Sequence, residues 1–323
     1  MDLQTLFGEF PLSRFIADHM HRLPFAIASS ARCVQELGNW DLLSDLVNAD
    51  PAAAIIIRNG CRYDGPAPTT ISDLMDLSGK GYTLYIRHAE RLHHQLADLA
   101  SVFEATFLGP VDIQAFATPS GSRGFPWHYD AEDVFILQTT GAKEYSLRKN
   151  TVNPWPLEET LPADMRYERE LMPLMRVLLR AGDMLYIPSG YWHKAEALET
   201  GEAAISLAVG VMSRSAIDVY EFLRSRLVQS LVWRQRLPLL SSPEPEARMQ
   251  LEETFHHLLR QLQDDLARTL ADPGLVKDFL DHFAGRPDLR DDSASNPTTA
   301  AIVITAADGS GTASGVTLPT PAP

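Results

Sequence analysis

Residues 124–147 read GFPWHYDAEDVFILQTTGAKEYSL, and residues 180–193 read RAGDMLYIPSGYWH. In the first stretch one residue separates His128 from Asp130. Side chains two apart on a strand point to the same face, so an imidazole and a carboxylate are aimed at one point. The second stretch reads as a turn at 181–183, a buried strand, a tight turn at 188–190, and a histidine, His193, opening the next strand. His193 lies 63 residues beyond Asp130, enough chain to travel around a small barrel and return. Two imidazoles and one carboxylate on one face of an octahedral ion leave three positions open, the facial triad of non-haem Fe(II) oxygenases. An HxD pair alone is a weak signal, and its plain alternative is a core histidine beside a solvated aspartate. The turn–strand–turn–His context favours the metal. The same donor set also suits Mn, Co or Ni.

Around these stretches the spacing predicts short strands at 111–117, 133–138, 144–147, 175–179, 184–187 and 203–211, with turn residues between them. Many short strands with frequent turns indicate a sandwich or barrel. Before them, helices are expected at 11–22, 34–48 and 88–107, and strands at 52–57 and 82–86. Residues 150–172 are rich in Pro and Glu and read as a long loop, a length uncommon without a function. After residue 214 the pattern is helical, first through Tyr220, Leu223, Leu227 and Leu231, then through Leu251, Phe255, Leu258, Leu262, Leu266 and Leu270. That apolar stripe suits packing on the chain's own barrel or on a second subunit. From about residue 290 the chain is Ala, Thr, Ser, Gly and Pro without aromatics, which predicts a disordered tail.

Composition bounds the function. Forty-two acidic and 28 basic residues give a formal charge of −14. Phosphate binding needs a basic footprint, so nucleic acid is not the expected partner. An acidic surface permits a basic protein or peptide instead. The two cysteines, Cys33 and Cys61, form no scaffold or thiolate zinc pattern. No signal peptide is read at the N-terminus, and no apolar run approaches a membrane span, so the expected location is the cytoplasm.

Lys143 is the next candidate. A 2-oxoglutarate dianion chelates such an iron through its 1-carboxylate and 2-oxo group, and its far carboxylate then needs a fixed cation in a poorly solvated pocket. Lys143 follows His128 by fifteen residues, one strand further on. The alternatives are a solvent-facing lysine, with Arg148 or Lys149 taking the role. His88, His93, His94, His256 and His257 read as surface residues.

Taken with the N-terminal FIADHMHRLP (15–24), HYDAEDVFILQTTGAKEY and GDMLYIPSGYWH, the chain resembles JmjC-domain 2-oxoglutarate oxygenases, and among them the bacterial ribosomal oxygenases that hydroxylate ribosomal-protein side chains. The resemblance covers most of the chain up to about residue 285. It implies a double-stranded β-helix (cupin barrel) flanked by N-terminal helices and followed by an α-helical bundle. The organisation it suggests is a catalytic domain over 1–213 with its barrel core at 111–213, a helical homodimerisation region over 214–288, and the tail over 289–323. By the resemblance, His128, Asp130 and His193 are the iron ligands, Lys143 is the carboxylate partner, and Ser206 and Thr118 face the cosubstrate, with Ala117 the alternative to Thr118. Tyr129 is expected to point away from the iron. The cofactors implied are Fe(II), 2-oxoglutarate and O2, and the chemistry is decarboxylation of 2-oxoglutarate coupled to C–H hydroxylation. The relatives' C-terminal winged helix has no counterpart here, which loosens the substrate inference. Glu132 and Asp133, with Glu158, Glu159, Asp164, Glu168 and Glu170 of the long loop, suggest an acidic rim for a basic peptide. A small-molecule oxygenase on the same scaffold and a non-catalytic metal-binding cupin are the rival readings.

Overall fold

The computed structural model describes residues 2–284 except 59, 64, 66, 67, 69 and 163–171. The expected tail, together with Asp164, Glu168 and Glu170, lies outside the described residues.

Two antiparallel sheets face one another. The larger runs in the order β1 (Phe25–Ile27), β9 (Met184–Ile187), β6 (Asp133–Thr140), β11 (Ala204–Val211), β5 (Val111–Thr118), β4 (Thr83–Ile86), β2 (Ala54–Arg58) and β3 (Cys61–Arg62). The smaller runs β10 (Trp192–Ala197), β7 (Ala142–Arg148), β8 (Met175–Arg180). This is the expected cupin-type barrel.

Period-2 alternation decides what each face carries. β11 lies between β5 and β6 and is buried throughout. Its Ile205, Leu207, Val209 and Val211 join the main core with Phe135, Leu137, Ala115 and Ala117. That core is closed by the helices α1 (Leu3–Phe7), α2 (Leu12–Asp18), α3 (Trp40–Ala49) and α6 (His94–Phe107), which contribute Leu6, Phe15, Leu43, Leu46, Leu96 and Phe103. The opposite face of the same strands looks into the space between the sheets. There Val134, Ile136 and Ala208 meet Tyr145, Leu147 and Leu179 of the smaller sheet, with Phe116 and Ala195 alongside. At Ser206 the β11–β6 pairing jumps from Thr140 to Gln138 and skips Thr139. The unpaired Thr139 donates its hydroxyl to Ile205 O at 3.0 Å.

Two expected helices are broken. The span 34–48 divides into a 3-10 segment, Ser30–Leu37, and α3, whose N-terminus is capped by Asn39. The span 88–107 divides at His93 into α5 (Ala89–Leu92) and α6, because His93 is extended. The short helix α4 (Ile71–Gly79) precedes β4. After the sheets come α7 (Ala216–Leu227), α8 (Leu231–Arg234), α9 (Pro245–Leu270) and α10 (Leu275–Ala284). Phe222, Leu223, Leu227, Leu275 and Phe283 form their core, with Leu266 against it. Part of the Leu251–Leu270 stripe is therefore used inside the chain, through Leu266, and Leu258 is buried as well. Met249, Leu259, Leu270, Val276 and Leu280 remain exposed. No helix among the described residues is long and apolar enough to cross a membrane.

Candidate metal centre and cosubstrate chamber

His128 and His193 come together because their backbones pair. His128 N donates to His193 O at 3.1 Å, and His193 N to His128 O at 2.7 Å. The ring centres are 4.2 Å apart. Asp130 Oδ2 is 3.4 Å from His193 Nε2. One donor atom from each of His128, Asp130 and His193 lies within 4.8 Å of the others. Each imidazole is oriented by a backbone carbonyl, His128 Nδ1 by Pro126 O and His193 Nδ1 by Tyr191 O, both at 2.9 Å. These contacts favour the proton on Nδ1 and leave each Nε2 lone pair for an ion. Burial, then the adjacent His128, push His193 down to about 4 against the pull of Asp130. A neutral imidazole is the form a metal needs. The donor set therefore fits a divalent transition ion. Tyr129 points elsewhere and is buried edge-on against Trp192 at 4.6 Å.

Lys143 is 3% exposed and donates to Ser206 Oγ at 2.9 Å. Tyr145, two residues on, is hydrogen-bonded to the same serine. Among the described residues no carboxylate pairs with Lys143, and burial alone lowers it to about 7. A buried ammonium without a counter-charge is costly, and a carboxylate entering the chamber would supply one. Arg148 and Lys149 take other positions: Arg148 reaches Met172 O, and Lys149 is exposed.

An aromatic wall joins the two parts. Lys143 Nζ lies 5.6 Å from the centre of the Phe116 ring. Phe116 is 6.2 Å from Phe125, and Phe125 is 5.5 Å from His128. Tyr85 stacks on Phe116 at 4.8 Å. Thr118, buried at the end of β5, is on the strand face of Phe116, whereas Ala117 belongs to the main core. Sequence reading did not single out Phe116, Tyr145, Tyr85 or Phe125. The alternation around Phe116 and Lys143 could have placed Tyr145 and Thr118, but Tyr85 and Phe125 arrive from distant segments.

The acidic rim needs correction. Asp133 is fully buried on the opposite face of β6 and accepts from Tyr186 Oη at 2.5 Å and Ser213 Oγ at 2.6 Å. Its place in the sequence beside Glu132 hid the change of face. Glu132 does lie inside, where a Cβ on Gly210 would collide with its Oε2. Burial holds the Tyr85 hydroxyl well above its ordinary range, and Asp112, Glu132 and Asp130 push it further. Arg87 pulls the other way, so the charge around that hydroxyl is mixed. Glu158 and Glu159 are exposed in a 3-10 turn. His88 is no free surface residue, because its Nδ1 is 2.8 Å from Asp112 Oδ1. With Glu90 these two form a second group of possible metal-binding residues. Its carboxylates are already engaged: Glu90 accepts from Ile113 N, and Asp112 from His88 N and Gln114 Nε2.

The family model described as the JmjC domain matches residues 86–219, which include every candidate site residue. Residues 86–219 therefore match a JmjC domain. Ribosomal oxygenase 2 of Mus musculus is 27% identical over 215 residues, 64% of this chain and 45% of the relative. The bifunctional lysine-specific demethylase and histidyl-hydroxylase NO66 of Dictyostelium discoideum is 34% identical over 120 residues, 36% of this chain and 23% of the relative. The chain thus spans less than half the length of these relatives. The Escherichia coli ribosomal oxygenase YcfD, solved with cobalt and 2-oxoglutarate, superposes with a TM-score of 0.54 at 18% identity. That superposition covers 85% of this chain and 71% of YcfD and supports the JmjC fold.

Proposed function

We propose that this JmjC domain is an Fe(II)- and 2-oxoglutarate-dependent oxygenase that hydroxylates a side chain in a basic stretch of a protein, with ribosomal proteins the first class to test. One observation carries the reading: a two-histidine, one-carboxylate cluster and a buried, uncompensated lysine face one chamber. His128, Asp130 and His193 would hold the iron, and Lys143 with Ser206 the far carboxylate of 2-oxoglutarate. When bound, the iron and cosubstrate supply O2 activation strong enough to oxidise an unactivated C–H bond. The protein's own residues bind, orient and exclude water. The carbonyls of Pro126 and Tyr191 fix the imidazoles, and Phe116, Phe125 and Tyr85 line the chamber with apolar surface. Glu132, packed against Gly210 of β11, provides negative charge for a cationic side chain.

A protein substrate is favoured over a small molecule by Trp155, which is 80% exposed. Its neighbours Pro154 and Pro156 press on Gly190, whose added Cβ would approach Pro154 O to 2.8 Å. Gly190 N in turn donates to Asp130 O, so an aromatic handle stands beside the metal loop. The names of the relatives point the same way. The exposed apolar residues of α9 and α10 support a homodimer, and the unpaired Cys33 and Cys61 suit the cytoplasm. The test has two parts. Succinate formation from 2-oxoglutarate should require Fe(II) and His128. Mass spectrometry of cellular protein with and without the enzyme should show a substrate heavier by one oxygen atom. Fast turnover of a small uncharged metabolite, with no marked protein, would replace this reading by the small-molecule one.

A further inference from the structure

His193 follows a loop, residues 188–191, that is anchored from outside the chamber. Ser189 N donates to Asp133 Oδ1 at 3.3 Å, and Ser189 Oγ to Ala131 O at 2.9 Å. Tyr191 Oη donates to Arg22 O at 3.0 Å, and Tyr191 O is the carbonyl that orients His193. The two outer anchors converge on one place in the N-terminal segment. His21 Nδ1 lies 3.0 Å from Asp133 Oδ2, and Arg22, the next residue, holds Tyr191. His21 is left-handed, with φ 60°, and its N–H donates to Tyr186 Oη at 2.8 Å, itself a donor to Asp133.

Asp133 is a carboxylate with no exposure, so it persists only while its donors do. Tyr186, Ser213 and Ser189 are neutral donors, and among the described residues His21 is the basic side chain paired with it. The hydrogen bond from His21 holds Asp133 below the ordinary carboxylate range despite its burial, and Asp133 raises His21 in turn. Removing His21 leaves a buried charge whose cheapest relief is to draw on Ser189, and with it the loop that carries His193.

We propose that His21 and Asp133 are positioning residues for the metal centre. The turn at His21–Arg22 sits well before the stretch matched by the JmjC model, yet it sets the geometry of Asp130 and His193. This inference rests on reading His128, Asp130 and His193 as a metal site. Groups that orient metal ligands typically change metal affinity by about 10- to 100-fold when removed.

The test is a Co(II) titration of the full chain followed by visible absorption, with far-UV circular dichroism of the metal-free protein. His21→Ala and Asp133→Asn should weaken Co(II) by about 10- to 100-fold and shift its absorption bands, with the fold kept. His21→Asn tolerates a left-handed backbone and places a neutral donor where Nδ1 was, so it should recover most of the affinity. Arg14→Ala, an exposed change in the same segment, should do nothing. If the wild type fails to bind Co(II), the metal reading itself falls. If the wild type binds and His21→Ala matches it in affinity and spectrum, the positioning role is wrong while the metal site stands. Should Asp133→Asn fail to fold, Tyr191→Phe decides together with His21→Ala, because it removes only the hydroxyl held by Arg22. Wild-type binding by both overturns the proposal.

Discussion

Lys143 Nζ and Ser206 Oγ lie 2.9 Å apart across the chamber, the lysine on β7 and the serine on β11. Each strand belongs to a different sheet, so this hydrogen bond spans the barrel just where a dianion would need a cation. Lys143→Ala should weaken 2-oxoglutarate by about 10- to 100-fold, the worth of one charge-assisted contact, while Co(II) affinity stays near wild type. Lys143→Met should raise the Tm of the ligand-free protein, because an uncompensated buried charge is replaced by an apolar chain of similar size. Calorimetric titration and thermal denaturation check both. Unchanged cosubstrate affinity in Lys143→Ala would move the role elsewhere.

The same lysine sets a pH dependence. Burial holds it at about 7 in the free protein, against 10.5 in an unfolded chain. A bound carboxylate favours the charged form, so above pH 7 binding takes up a proton. Affinity for 2-oxoglutarate should be flat below about pH 7 and fall above it, by at most tenfold per pH unit. For the ligand-free protein the unfolded state holds the proton between these two values and the folded state does not. This group therefore makes stability rise with pH from about 7 towards 10.5, and its destabilising effect is complete below about 7. Calorimetry in two buffers of different ionisation enthalpy reads the proton uptake directly.

His128→Ala should abolish Fe(II)-dependent succinate formation and lower Co(II) affinity by at least about 100-fold, with the metal-free circular dichroism spectrum retained. Full activity in this variant would dismiss the triad.

Charge inside the chamber should act on capture. Glu132→Gln should raise the KM for a basic peptide several-fold, leaving substrate-free 2-oxoglutarate decay unaltered. The effect should shrink between low and physiological salt as screening sets in. Insensitivity of wild-type turnover to salt would argue against a cationic substrate.

Assembly is a separate question. Leu259, Leu270 and Leu280 are 57%, 51% and 48% exposed on α9 and α10. A Leu259→Glu, Leu270→Glu double variant should sediment as a monomer at micromolar concentration where the wild type sediments as a dimer. A monomeric wild type would end the dimer proposal.

Much of the site was legible because strand chemistry is local. His128 and Asp130 converge as read, although they lie outside the named strands with only an isolated bridge from His128 to His193, and the strand spacing located β5 to β9 within a residue or two. What stayed hidden depends on contacts between distant segments. Asp133 follows Glu132 and reads as a surface acid, but the N-terminal turn at His21 covers it. His88 sits in a polar helical context, yet Asp112 of β5 claims it. The breaks at Gly38 and His93 interrupt helices whose apolar spacing continues unbroken, so periodicity alone reads through them.

Thr139, the residue that β11 skips, has a consequence for how this chain can vary. Side chains alternate, so the unpaired residue sets whether odd or even positions beyond it face inward. Lys143 faces in and Glu144 faces out on that count. Losing one residue from the β6–β7 connection, which crosses from the larger sheet to the smaller, with the registers on either side kept, would seat Glu144 where Lys143 stands and reverse the sign of the chamber's charge. The connection acts as a parity check on the gene. Substitutions along 134–142 leave the sign intact, whereas the gain or loss of a single codon inverts it.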